Sequence, residues 1–352
     1  MEKTIIIGLD LAKNVFQAHG AKADGSVAFR KKLTRKQVLP FFAGQPACLV
    51  AMEACASAHH WARSIRDLGH EVRLIPPIYV KPFVKRQKND SADAEAIAEA
   101  ASRPTMRFVA VKGIEQQAAG MAFRTRDLFI RQKTQTINAL RGHLAEYGII
   151  AASGVAHPGR LVAVMQRADS GLPLEVVELP GMLVDQIAGL PFRINTLDRD
   201  IRKRAREDDV ASRLMTFPGV GPICASAMIA LAPPAESFAR GRDFSAWLGL
   251  VPRQHSSGGK ERLGRTSKMG QRDLRRLLIT GAMAVVRWAA LRGPRAGSWL
   301  EKLMIRKPRM LVAVALANKM ARIAWALMAP GGVYRDPAVA AQAAAGRVAS
   351  GM

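Results

Sequence analysis

Over the first third of the chain, apolar residues come in short β-branched runs separated by polar turns; beyond that they recur at helical spacing. Residues 4–9 (TIIIGL) form one such run, which stops at Asp10. Residues 15–21 and 26–30 repeat the pattern, so the opening predicts a meander of three strands. A helix is expected over 35–43, a buried strand over 47–52 (ACLVAM) ending at Glu53, and a helix over 57–68. Another strand at 71–75 stops at Pro76 and Pro77. Residues 90–101 (DSADAEAIAEAA) are strong helix formers with an acidic first turn. Strands first, then alternating helix and strand, predict an α/β domain.

A single long helix is expected over 114–147, where Phe123, Ile130, Ile137 and Leu144 recur every seven residues. After a Gly- and Pro-containing break at 153–159, Leu183, Ile187, Leu190, Ile194, Leu197 and Ile201 follow a coiled-coil seam, with a kink expected at Pro191. An antiparallel pair within one chain and a dimerisation coil both satisfy this pattern. Residues 215–229 predict a helix, a Pro-Gly-Val-Gly-Pro turn and a second helix. Residues 253–270 (RQHSSGGKERLGRTSKMG) are loop-like, and a helix resumes over 271–291. The resulting plan is α/β plus α: an α/β domain (1–113), a coiled-coil helical arm (114–205), a mostly helical domain (206–330) and an Ala- and Gly-rich tail (331–352).

Charge changes the picture. The 352 residues carry 53 Lys and Arg against 28 Asp and Glu, a net charge of +25. A hydrophobic content of 49% excludes a disordered basic tail, so a folded chain with a polyanionic partner is expected, nucleic acid first. The excess is uneven: 15 basic and 3 acidic residues fall between 251 and 310. No stretch suggests a membrane-spanning helix, because the longest uncharged run, 214–235, is broken by Pro218, Gly219, Gly221 and Pro222. The opening MEKTIIIGLD shows no signal-peptide pattern. Cys48, Cys55 and Cys224 form no CxxC pair, which disfavours disulfides and zinc ribbons and fits a reducing cytoplasm.

Four acids hold the candidate chemistry of the first domain. Asp10 and Glu53 each close an apolar strand, and Asp90 and Asp93 share one helix face. Each has a structural alternative: a turn former for Asp10, an N-cap or dipole partner for Asp90 and Asp93. Four converging carboxylates repel one another unless a divalent cation lies between them, and Mg²⁺ prefers such oxygen ligands. Their order along the chain is that of a ribonuclease H-like site.

In the basic loop, Ser256 and Ser257 precede Gly258 and Gly259 and are flanked by Arg253, Lys260, Arg262, Arg265 and Lys268, with Arg272 just beyond. A serine hydroxyl in so electropositive a setting is either a nucleophile toward phosphorus or a phosphate contact in a nucleic-acid-binding loop. His255 is expected to touch phosphate. The glycines of the 218–222 turn, Gly219 and Gly221, expose backbone N–H groups suited to a DNA phosphate, although a tight turn explains them nearly as well.

Taken together, GLDLAK, AMEACASAHHWA, KNDSADAEAIAEA, the PGVGP turn and WLGLVPRQHSSGGKERLGRTSKMG resemble the transposases of the insertion-sequence 110 type, related to the Piv-type DNA invertases. The resemblance spans about residues 4–327. It implies a RuvC-like N-terminal domain with a DEDD acid set on Asp10, Glu53, Asp90 and Asp93, a coiled-coil region, and a C-terminal transposase domain with a helix-hairpin-helix element and a catalytic serine. Because that serine immediately precedes a glycine, it falls on Ser257, with Ser256 as the neighbouring alternative. Also implied are Mg²⁺, a phosphoserine–DNA intermediate, donor and target DNA paired by an element-encoded guide RNA, and a dimer or tetramer with composite active sites, acting at the nucleoid. A RuvC-type junction-resolving nuclease, in which water attacks, is the nearest rival. An actin-like ATPase would need glycine-rich phosphate loops, and GLDLAK lacks the following Gly-Thr pattern. A non-catalytic nucleic-acid-binding protein predicts that Asp10→Ala changes nothing.

Overall fold

In a computed structural model, described here for residues 6–85, 90–150, 173–329, 332 and 334, the chain forms two compact units, Met1–Ile114 and Glu115–Met352. The expected tail, the break at 153–159 and the Asp90 side chain lie outside the described residues.

The first unit is a five-stranded sheet covered on both faces. Strands β1 (Ile6–Asp10), β2 (Val15–Ala21) and β3 (Val27–Thr34) form an antiparallel meander. Strands β4 (Leu49–Glu53) and β5 (Glu71–Ile75) add in parallel on the other side of β1, in the order β3-β2-β1-β4-β5. Alternation along the strands sorts the two layers. Ile7, Leu9, Val50 and Met52 pack with α1 (Val38–Ala43) and α2 (Ala58–Arg66), through Phe42, Trp61 and Ile65. Ala51 and Ile75 point the other way, against α3 (Pro77–Val80) and α4 (Asp90–Ala101). Gly8 on β1 lets α4 lie close: a Cβ there would sit 2.2 Å from the Ala94 carbonyl oxygen.

The second unit is mostly helical. Long helices α5 (Ile114–Ala145) and α6 (Leu174–Glu207) pair with each other within the chain, Ile137, Leu140 and Leu144 packing on Ile187. Arg126 is ion-paired to Asp198, and Phe123 shares a core with Ile201, so the pair runs antiparallel. Leu183, Ile187, Leu190 and Ile201 therefore spend their seam inside one chain. Helix α6 continues through Pro191, and through Pro180, rather than ending there.

Helices α7 (Asp209–Met215), α8 (Pro222–Leu231), α9 (Gly241–Trp247), α10 (Arg272–Arg292), α11 (Trp299–Arg306) and α12 (Arg309–Met328) complete the unit. The last corrects one expectation: by length and composition α12 is apolar enough to cross a membrane. It is instead built into this core, with Val312, Ala317, Met320 and Ala324 buried. Its polar atoms are met from within the unit, Asn318 donating to Leu250 O at 3.1 Å and Trp325 Nε1 to Ala235 O at 2.9 Å. A second correction concerns the basic loop, which is a two-stranded hairpin, β6 (Pro252–Gln254) against β7 (Leu263–Thr266).

Candidate functional site

The register of the sheet decides where the acids go. Strands β1 and β4 pair in parallel up to Leu9 opposite Met52, so Asp10 and Glu53 stand at the next level, side by side at the carboxyl ends. Adjacent strands are about 4.8 Å apart. Asp10 is two residues on from Gly8, and Glu53 two on from Ala51. Both therefore share the face covered by α4. That helix crosses β1 with Ala94 and Ala98 over Gly8, while its last residues, Ala100 and Ala101, cluster with Ile6 at the start of the strand. Its first turn, with Asp90 and Asp93, is thus directed toward the strand end that carries Asp10. Asp93 is half-buried.

Among the described residues, no group of three His, Cys, Asp or Glu side chains lies close enough to hold a metal ion. Asp10 and Glu53 offer carboxylate oxygens and no thiol, a donor type chemically suited to Mg²⁺.

Two neighbours escaped the sequence reading. Gln17 on β2 is the cross-strand partner of Asp10, and His19 the partner of Gly8, so both belong to the same face. The signal was available in the alternation of β2, once β1 and β2 are taken as a hairpin. His19 is buried with Nδ1 unsatisfied, and burial pushes its pKa down, opposed by the nearby Glu95 carboxylate. Glu95 itself is paired with Lys85 at 2.5 Å and Arg30 at 2.9 Å, tying α4 to the edge strand β3. The hydrogen bond from Lys85 holds the Glu95 carboxyl below its ordinary range.

The serine hairpin is built differently. His255 N donates to Arg262 O at 2.8 Å, and Lys260 N donates to Ser257 O at 3.1 Å. Between Ser257 and Lys260 the chain reverses through Gly258 (φ 57°) and Gly259 (φ 75°), two successive left-handed residues. This is the requirement of a type I′ hairpin turn, and glycine meets it without strain. Ser256 and Ser257 are distinguished here. Ser256 Oγ accepts a hydrogen bond from Arg262 N at 3.3 Å, whereas Ser257 Oγ has no hydrogen-bond partner among the described residues.

Arg253, Lys260, Arg262, Arg265 and Lys268 are all exposed around this tip, and Arg272 is exposed at the start of α10. The base of the hairpin is fixed by Arg275, whose guanidinium donates to Leu248 O at 2.9 Å and Met269 O at 2.8 Å. Burial, reinforced by Arg272, lowers the pKa of Arg275. Arg275 thus serves as a clamp on the backbone rather than as part of the open basic surface.

Gly219 and Gly221 divide. Gly219 (φ 91°) is turned into the unit, where its carbonyl oxygen would lie 2.0 Å from a Cβ on Gly281 of α10. Gly221 is exposed and open at the N-terminus of α8.

Two family models match the chain. One, described as transposase IS116/IS110/IS902 family, matches residues 211–295, and another, described as transposase, matches residues 7–149. Among curated relatives, a probable family 20 transposase of Pseudomonas aeruginosa is 51% identical over 331 residues, covering 94% of this chain and 98% of the relative. The transposase for insertion sequence element IS1328 of Yersinia enterocolitica is 40% identical, covering 95% and 99%. The transposase for insertion sequence element IS1111A of Coxiella burnetii is 38% identical, covering 95% and 92%.

Proposed function

The chain belongs to the IS116/IS110/IS902 transposase family, and from that premise we propose that it is the recombinase of an insertion sequence, joining donor and target DNA by phosphoryl transfer to serine. The observation that carries the reading is the pairing register that sets Asp10 and Glu53 side by side on the α4 face. The strand order, three antiparallel strands extended by two parallel ones, supports a ribonuclease H-like or RuvC-like reading of the first unit.

In this reading Asp10 and Glu53, joined by Asp90 and Asp93 from α4, hold Mg²⁺, which when bound supplies charge stabilisation at the transferring phosphate. Ser257 is the nucleophile, since its hydroxyl is exposed while that of Ser256 is engaged by Arg262 N. Its oxygen bonds to phosphorus, the bridging deoxyribose oxygen leaves, and a phosphoserine–DNA link results. Arg253, Lys260, Arg262, Arg265, Lys268 and Arg272 hold the DNA backbone close to the hairpin, in keeping with the charge of this segment. The exposed N–H groups at Gly221 fit a further phosphate, in the manner of a helix-hairpin-helix element, whereas Gly219 is committed to packing. Sequence choice falls to an element-encoded guide RNA, and the working form is a homodimer or tetramer.

The test is to express the gene with its native flanks, add labelled element-end and target DNA with Mg²⁺, and look for a denaturant-stable protein–DNA adduct. The adduct is expected to vanish in Ser257→Ala and in Asp10→Ala. Its persistence in Ser257→Ala with loss in Ser256→Ala would move the nucleophile by one residue. Cut DNA with no adduct in any variant would make the protein a hydrolytic nuclease instead.

A further inference from the structure

Beyond the serine hairpin, the end of α10 and the start of α11 each expose a tryptophan. Trp288 is 59% exposed and Trp299 41%, large values for the two largest apolar side chains of the region. Each carries a cation on its ring. The Arg292 guanidinium lies 5.1 Å from the Trp288 centroid, and Lys319 Nζ lies 4.8 Å from that of Trp299. Leu291 and Ile305 are more exposed still.

The surrounding charge is one-sided. Between Arg287 and Arg309 the chain has seven Lys and Arg and one acid, Glu301. That acid is turned back on its own helix, its carboxylate accepting from Gly297 N at 2.6 Å while Glu301 N donates to Ser298 Oγ. It caps α11 and offers little to oppose the basic surface.

We propose that this face binds single-stranded nucleic acid, with unpaired bases stacking on Trp288 and Trp299 and phosphates met by the cations around them. Exposed apolar rings mark an interaction site, and the charge selects the occupant. A second copy of this segment would bring like charge against like, seven Lys and Arg to one acid on each side, so self-association through it is disfavoured. A duplex satisfies the cations but hides its base faces, leaving the rings unused. An unpaired strand satisfies both, since bases stack on aromatic rings whatever their sequence.

The inference rests on the reading of the chain as a nucleic-acid-handling protein, but it concerns a surface other than the acids and the serine. Its assay contains neither metal nor element ends, so its failure and that of the adduct experiment are separable. The full chain is titrated with a labelled oligothymidine strand and with a duplex of equal length. Trp288→Ala and Trp299→Ala are each expected to weaken strand binding about tenfold, with duplex binding nearly unchanged, and Trp288→Phe and Trp299→Phe to retain most of it. The salt dependence of strand binding should not change, because no charge is removed. Equal losses on strand and duplex, or none on either, would overturn the proposal. So would a change in oligomer mass in the alanine variants, which would assign the face to a second copy. Should Trp299→Ala fail to fold, Trp288→Ala with quenching of tryptophan emission by the strand decides the matter, and absence of quenching refutes it.

Discussion

Asp10 and Glu53 end strands whose neighbouring residues are buried on both faces of a sheet, whereas Ser257 stands on a hairpin exposed from Pro252 to Arg265. The acids owe their positions to register and to the packing of a helix over Gly8. The serine owes its position to a two-glycine turn and to one arginine clamp at the hairpin base. The proposed Mg²⁺ site would tolerate little displacement, because its ligand distances are fixed to tenths of an ångström. A nucleophile that must reach a large polymer gains from standing clear of the core. The two regions thus divide the work of proposed catalysis between rigidity and access.

The largest effect should come from the acids. Asp10→Asn is expected to cut adduct formation by at least about a hundredfold with thermal unfolding unchanged, as measured by strand-transfer assay and melting. Gly8→Val attacks the same corner from below. Its side chain would collide with the Ala94 backbone, so a loss of about 3 kcal/mol is expected by denaturant titration. On the hairpin, Gly259→Val places a β-branched residue at φ 75° and should cost the turn roughly 1–2 kcal/mol. There the adduct rate should fall while the melting temperature hardly moves, whereas Gly8→Val should lower both. If both glycine variants act through global stability alone, the contrast between the regions collapses.

Ser256→Ala removes an exposed hydrogen bond to Arg262 N and should leave adduct formation within about fivefold of the parent. The smallest effect concerns His19. Its pKa is lowered in the folded chain by burial, so the unfolded chain binds the proton more readily. Stability should be full above the ordinary histidine pKa of about 6.5 and decline as pH falls below it. His19→Gln should flatten that decline in melts taken across the range.

Much of the first unit was legible because its strands alternate cleanly. Residues 15–21, 71–75 and 90–101 form the elements their patterns predict, at the same bounds. Strand β3 runs to Thr34 rather than to residue 30, since Lys31 and Lys32 are exposed on an edge strand where charge carries no penalty. The β6–β7 hairpin was illegible for the converse reason. With every residue from Pro252 to Arg265 exposed, no burial pattern betrays the strands, and glycines and serines suggest a loop. Helix α12 was not readable as a long apolar element because Lys319 and Arg322 interrupt its apolar run; both are exposed, while Val312, Ala317, Met320 and Ala324 face the core. Of the acids, strand ends were readable, but the shared face of Asp10 and Glu53 depends on pairing between strands separated by 38 residues, Asp10 and Leu49 bounding the gap.

Around Gly258 and Gly259, a Cβ would meet nothing within 4 Å. What the turn demands is therefore handedness, not room. A D-alanine at either position, introduced by semisynthesis, should preserve the hairpin that an L-alanine strains, because the mirror-image residue takes positive φ as its own minimum. The serine beside it is held out on a bend defined by chirality alone.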